Sequence, residues 1–90
     1  MAAYRVVLKR SAAKEIEALP SKKERQRIVR RIEALALDPR PHGSEKLTGQ
    51  ADRYRIRQGR YRIVYSIEDS AATVIVFKVA HRKEVYRDTT

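Results

Sequence analysis

The 90-residue chain is 42% apolar, contains no cysteine, and carries 21 lysines and arginines against 11 acidic residues, a formal charge of +10. That length holds one thin core and not two. The apolar content is too high for a disordered tail, and the missing cysteines exclude disulfides and zinc–thiolate sites. Folding alone does not need a field of that strength, so the charge points to a polyanionic partner, nucleic acid before membrane, with an acidic protein also compatible.

The N-terminus runs straight into an alternating pattern with no apolar leader, and no later apolar run is long enough to span a bilayer. A soluble, cytoplasmic protein with no membrane partner is therefore expected. Tyr4 to Lys9 alternates as a strand. Ser11 is positioned to cap a short helix with Ala12, Ile16 and Leu19 on its apolar side, ended by Pro20. Ser21 to Glu24 has the form of a capping box and opens a second helix, in which Ile28, Ile32, Leu35 and Ala36 recur at helical spacing. Pro39 stops it near Asp38. The basic residues of this helix, including Lys22, Lys23, Arg25, Arg27, Arg30 and Arg31, read mostly as a solvated face.

Residues 38–51 form a loop rich in proline and glycine, with Leu47 as its anchor; His42 in it is assigned no role. Three strands follow, at about 52–57, 60–68 and 72–80. The last is almost continuously apolar and should lie centrally, covered on both faces. The predicted fold is a single α+β domain over residues 1–90, in the order β-α-α-β-β-β. A mostly antiparallel four-stranded sheet carries the helical hairpin on one face.

The segment from Arg53 to Tyr65 puts Tyr54, Ile56, Tyr61, Ile63 and Tyr65 on one face of a β-hairpin. Arg53, Arg55, Arg57, Arg60 and Arg62 fall on the other. A turn centred on Gln58–Gly59 would set Arg55 directly opposite Arg62. Like charges so placed destabilise a sheet, which suggests that an anion occupies that face; arginine offers phosphate a planar, bidentate fork. The plain alternative is a solvated outer face. On either view Arg62 should be removable without loss of packing.

After the last strand, His81, Arg82, Lys83, Glu84 and Tyr86 bring together an imidazole, cations, a carboxylate and a phenol. RNA cleavage needs such a set: a base for the 2′-hydroxyl proton, cations for the phosphorane and an acid for the leaving oxygen. Tyr86 could instead stack on a displaced base. A frayed polar tail is the simpler reading.

Tyr-Arg-Ile-Arg-x-Gly-x-Tyr-Arg-Ile-Val-Tyr at 54–65, followed by Val-Ala-His-Arg-Lys-Glu-Val-Tyr at 79–86, resembles the RelE/ParE toxin superfamily, and its RelE-like branch in particular. The resemblance extends over nearly the whole chain. It implies a RelE-like, microbial-ribonuclease-like fold and a toxin neutralised by an antitoxin with an acidic, amphipathic segment, operator DNA being met only through the antitoxin complex. RelE-like members cleave messenger RNA on the ribosome by 2′-hydroxyl attack, without metal or other cofactor. ParE-like members instead poison DNA gyrase, and a non-toxic regulatory member is a third possibility.

Carried over, the resemblance makes Arg55, Arg57, Arg62, Arg82 and Tyr86 catalytic. Arg53, Arg60, Lys83 and Glu84 are expected to contact the RNA, the three cations at its phosphates. Lysines stand in the best-known RelE members where this chain has Arg55 and Arg57. An arginine cannot act as a base, so the proton acceptor is expected to be His81, an imidazole suited to that task, with Glu84 second.

Overall fold

The computed structural model describes residues 3–49 and 52–81. Its elements are β1 (Arg5–Leu8), α1 (Arg10–Glu17), α2 (Lys22–Ala34), β2 (Glu45–Lys46), β3 (Arg53–Gln58), β4 (Tyr61–Glu68), a single 3-10 turn (Asp69–Ala71) and β5 (Thr73–His81). The α+β class, the helical hairpin and the central position of the last strand agree with the sequence. The sheet has five strands, not four, in the order β1-β5-β4-β3-β2, and β1 runs parallel to β5 while the other pairings are antiparallel.

The helices pack on one face of this sheet. Ala12, Ile16 and Leu19 from α1 and its C-terminal turn join Ile28, Ile32 and Leu35 from α2, and all meet Ile56, Ile63, Tyr65, Ile67, Val74, Val76 and Val79. Each such fully buried aliphatic side chain contributes about 1.5–3 kcal/mol. The α2 N-terminus is capped as expected, Ser21 Oγ accepting from the Glu24 amide at 3.2 Å. Ser11, in contrast, does not cap α1: Lys9 holds the N-cap position, and Ser11 Oγ donates to the Phe77 carbonyl at 3.5 Å. α2 also ends earlier than Pro39 requires, passing at Leu35 into a turn. Arg25 reaches back to the Leu19 carbonyl and ties the two helices together. Among the described residues no helix is long and apolar enough to cross a membrane.

Two features of the sheet decide where functional side chains point. The β3–β4 turn is Gly59–Arg60, with Gly59 at φ 61°, so Arg57 faces Arg62 and Arg55 faces Val64. A Gln58–Gly59 turn would force the glutamine toward a left-handed conformation. The actual turn leaves the only positive φ to a glycine at its first central position, as a type II′ hairpin turn requires. The second feature is a bulge in β5. Val64 pairs with Lys78 and Tyr65 with Val76, so Phe77 is the extra residue.

Beyond Val76, β5 has no strand neighbour on the β1 side among the described residues. There α1 covers its edge: the Glu15 carboxylate accepts the Val79 amide at 2.9 Å and pairs with Lys78 Nζ at 3.1 Å. The exposed backbone edge is thereby satisfied by a side chain.

The candidate nucleic-acid face

The sheet face turned away from the helices carries the arginines, but it is not bare. Val64 and Ala80 are buried there under Leu47, the loop anchor expected from the sequence. Leu47 is held in place by its amide, which donates to the Arg53 carbonyl at 2.9 Å. The Arg53 guanidinium lies 3.9 Å from the centre of the Phe77 ring, and Lys9 Nζ lies 4.9 Å from it. Such contacts keep the charge at the surface while its stem covers apolar area.

Arg57 is exposed, and Arg62 across from it is only 4% exposed. Arg62 therefore sits within the packing rather than on a solvated face, contrary to the sequence expectation. Arg55 is half-buried, and its guanidinium meets the Glu45 carboxylate of β2 at 3.2 Å. Glu45 and Arg55 are direct partners in the β2–β3 ladder, so their side chains share one face. Arg60 is exposed at the hairpin tip. Arg55, Arg57 and Arg62 thus share one face at the hairpin end of the sheet, with Arg60 beyond them and Arg53 further along β3. Glu45, which sequence reasoning did not single out, joins them.

His81 does not join them. It pairs with Tyr61, and its ring meets the Tyr61 ring edge-on at 5.9 Å. Both side chains lie on the helix-bearing face, around a recess also lined by Glu15, Ala18 and Leu19. The bulge is the cause. An unbroken strand would carry His81 on the same face as Ile75, the arginine face, and one inserted residue reverses every later side chain. Arg82, Lys83, Glu84 and Tyr86 lie outside the described residues.

A polar network closes the opposite end of the sheet. Asp69 takes a 2.6 Å hydrogen bond from the Tyr4 hydroxyl and two from the Arg40 guanidinium, at 2.8 and 3.2 Å. The same arginine donates to the Tyr54 hydroxyl at 3.1 Å. These bonds from Arg40 and then from Tyr4 hold the Asp69 carboxyl down at about 2, from an ordinary 3.8. Tyr65, stacked on Tyr54 at 5.9 Å, donates to the Pro39 carbonyl, and burial pushes its phenol up to about 12. The network fixes the start of the 38–51 loop, from which β2 and Leu47 reach the arginine face.

A family model described as the ParE toxin of type II toxin–antitoxin systems, parDE, matches residues 6–86. Toxin RelG of Mycobacterium tuberculosis is 27% identical over 84 residues, covering 93% of this chain and 97% of that protein. A chain of the archaeal RelE–RelB complex from Pyrococcus horikoshii OT3 superposes with a TM-score of 0.79 at 29% identity, over 89% of this chain and 96% of that one. The isolated E. coli RelE toxin gives 0.76 at 30% identity, over 97% and 95%.

Proposed function

Because the chain belongs to the ParE toxin family of type II toxin–antitoxin systems, we propose that it works as a toxin that cleaves messenger RNA on the ribosome and is neutralised by a cognate antitoxin. The similarity to RelE toxins, several of them solved as complexes with RelB antitoxins, supports this reading. The observation that carries it is the opposed Arg57–Arg62 pair, with Arg55 beside it, on the sheet face turned away from α1 and α2. Two cations held across a ladder concentrate positive potential on one spot of the face, which attracts an anion there. A pentavalent phosphorane, more negative than the ground-state diester, is the anion such a face stabilises best.

In the cleavage step the 2′-oxygen attacks the neighbouring phosphorus, the bond to the 5′-oxygen breaks, and a 2′,3′-cyclic phosphate and a 5′-hydroxyl result. The 2′-hydroxyl proton needs an acceptor on the arginine face. Glu45 meets this need: it is the carboxylate that the β2–β3 pairing brings beside Arg55. Its carboxylate is aimed by the guanidinium, while 57% of its side chain stays open to substrate. His81, on the other face, is a poorer candidate. The leaving 5′-oxygen takes its proton from solvent or from Tyr86, one of the residues that the family resemblance makes catalytic.

The ParE description favours a second reading, a gyrase inhibitor without chemistry of its own. Induction followed by mapping of messenger RNA 5′ ends on ribosomes, with a gyrase supercoiling assay in parallel, separates the two. Codon-positioned new 5′ ends with normal supercoiling are expected. Inhibited supercoiling with intact messages would overturn the ribonuclease reading.

A further inference from the structure

Arg27, Arg30 and Arg31 recur at spacings of three and four residues, so they stand together on one side of α2. With Ala34 and Gln58 they surround an open recess of about 380 Å³. Gln58 has the same strand parity as Ile56, so this recess lies on the helix-bearing side of the hairpin, away from Arg57 and Arg62. Arg60, at the tip, stands between the two groups.

Among the described residues none of the three arginines makes an ion pair, and no carboxylate lines the recess. Arg31 is half-buried, and its Nε is withdrawn from water without a hydrogen-bond partner. Three like charges at helical neighbour spacing destabilise the helix that carries them. The nearest carboxylates of the helix, Glu24 three residues before Arg27 and Glu33 three after Arg30, stand outside the recess, which leaves it open to an external anion.

We propose that this recess is a second RNA-binding site, which takes a backbone phosphate of folded RNA and anchors the toxin while the arginine face of the sheet engages the strand to be cut. The proposal rests on the RNA-directed reading above. The arginine forks supply only donors and the Gln58 amide can add its NH2 group, which suits phosphate oxygens. Ala34 is the sole apolar residue among the described residues of the lining, whereas a protein partner needs an apolar centre to bury. The neighbouring groove between α1 and α2 has that centre in Ile16 and Val29, with Glu17 and Glu33 among its cations; it is the better surface for a protein. A folded RNA has closely spaced phosphates on several sides and can touch both cation groups around the hairpin tip.

The test uses the exposed pair in the double variant Arg27→Gln/Arg30→Gln. Its binding to purified 70S ribosomes is followed across a salt series, beside wild type and the charge-keeping Arg27→Lys/Arg30→Lys. Each lost phosphate contact removes about 0.7–0.9 from the slope of log affinity against log salt. The glutamine variant should therefore bind roughly tenfold more weakly with a shallower slope, and the lysine variant should keep the wild-type slope. The thermal midpoint of the lysine variant should match wild type, and that of the glutamine variant should hold or rise slightly. A glutamine variant with wild-type affinity and slope would overturn the second site and leave the ribonuclease reading standing. So would a variant that still binds ribosomes but loses a polyglutamate peptide, which would assign the recess to an acidic protein. Wild-type protein that does not bind ribosomes at all would overturn both.

Discussion

Arg57 and Arg62 face each other across the β3–β4 ladder, one pair in from the turn, yet Arg57 is exposed and Arg62 is buried. The two should therefore respond differently to truncation. Arg57→Ala removes charge and little packing, so cleavage should fall by orders of magnitude while the thermal midpoint holds or rises slightly. Arg62→Ala also removes a buried aliphatic stem and should cost about 1–2 kcal/mol of stability in addition to activity. Thermal melts beside single-turnover cleavage decide it; equal, unchanged melts for both variants would place Arg62 on a solvated face after all.

The Asp69 network sets an acid limit on stability. Its folded pKa of about 2 lies below the ordinary 3.8, so its contribution is complete above about pH 4 and fades as pH falls through 2. Asp69 is at the surface, so salt should weaken the effect. Denaturant melts of Asp69→Asn and wild type should differ at neutral pH and converge between pH 4 and 2. A constant difference over that range would remove the linkage.

A backbone prediction concerns Ala72, which ends the 3-10 turn at φ 47°. Left-handed backbone costs a residue with a Cβ about 1 kcal/mol, a cost glycine does not bear. Its amide and carbonyl are both used, bonding to Asp69 and to the β1 residue Arg5, so the conformation is imposed by the β4–β5 connection and by the pairing with β1. Ala72→Gly should raise the unfolding free energy by up to about 1 kcal/mol, less the extra entropy it gives the unfolded chain. A clear loss in chemical denaturation would show that the methyl group packs usefully.

How far the sequence revealed this arrangement depends on the kind of signal. Ala12, Ile16, Ile28 and Ile32 recur at helical spacing and are all buried, because one buried stripe leaves one periodic mark. β2 left no such mark. Its two residues, Glu45 and Lys46, are both exposed and are held by the ladder to β3 and by the packing of Leu47 next to them. The hairpin register escaped for a different reason. Every even loop keeps tyrosines and arginines on their own faces, so patterning alone could not choose between Arg55 and Arg57 as the partner of Arg62; the backbone of Gly59 did. The Phe77 bulge was hidden because Val74 to Val79 is nearly all apolar, and a run without alternation carries no parity to break.

That hidden bulge changes which residue is expected to take the proton. Arg55 and Arg57 are poor bases, so cleavage needs an acceptor from another residue. Sequence proximity to Arg82 points to His81, whereas the bulge turns its ring to Tyr61 on the helix face, and β2 sets Glu45 3.2 Å from Arg55. Losing a general base costs about a hundredfold or more. Glu45→Gln, which keeps size and hydrogen bonding but cannot accept the proton, should slow single-turnover cleavage on ribosomes by that factor and abolish the acid limb of the pH–rate profile. Glu45→Asp should recover part of the rate. His81→Gln should cleave within a few-fold of wild type with the profile unchanged. The salt link to Arg55 is exposed on the carboxylate side, so its loss should move stability by about 1 kcal/mol or less, too little to mimic a catalytic defect. Should His81→Gln instead lose the rate and the pH dependence while Glu45→Gln keeps both, the imidazole must reach the arginine face during the reaction, and the β5 bulge would have to shift to let it.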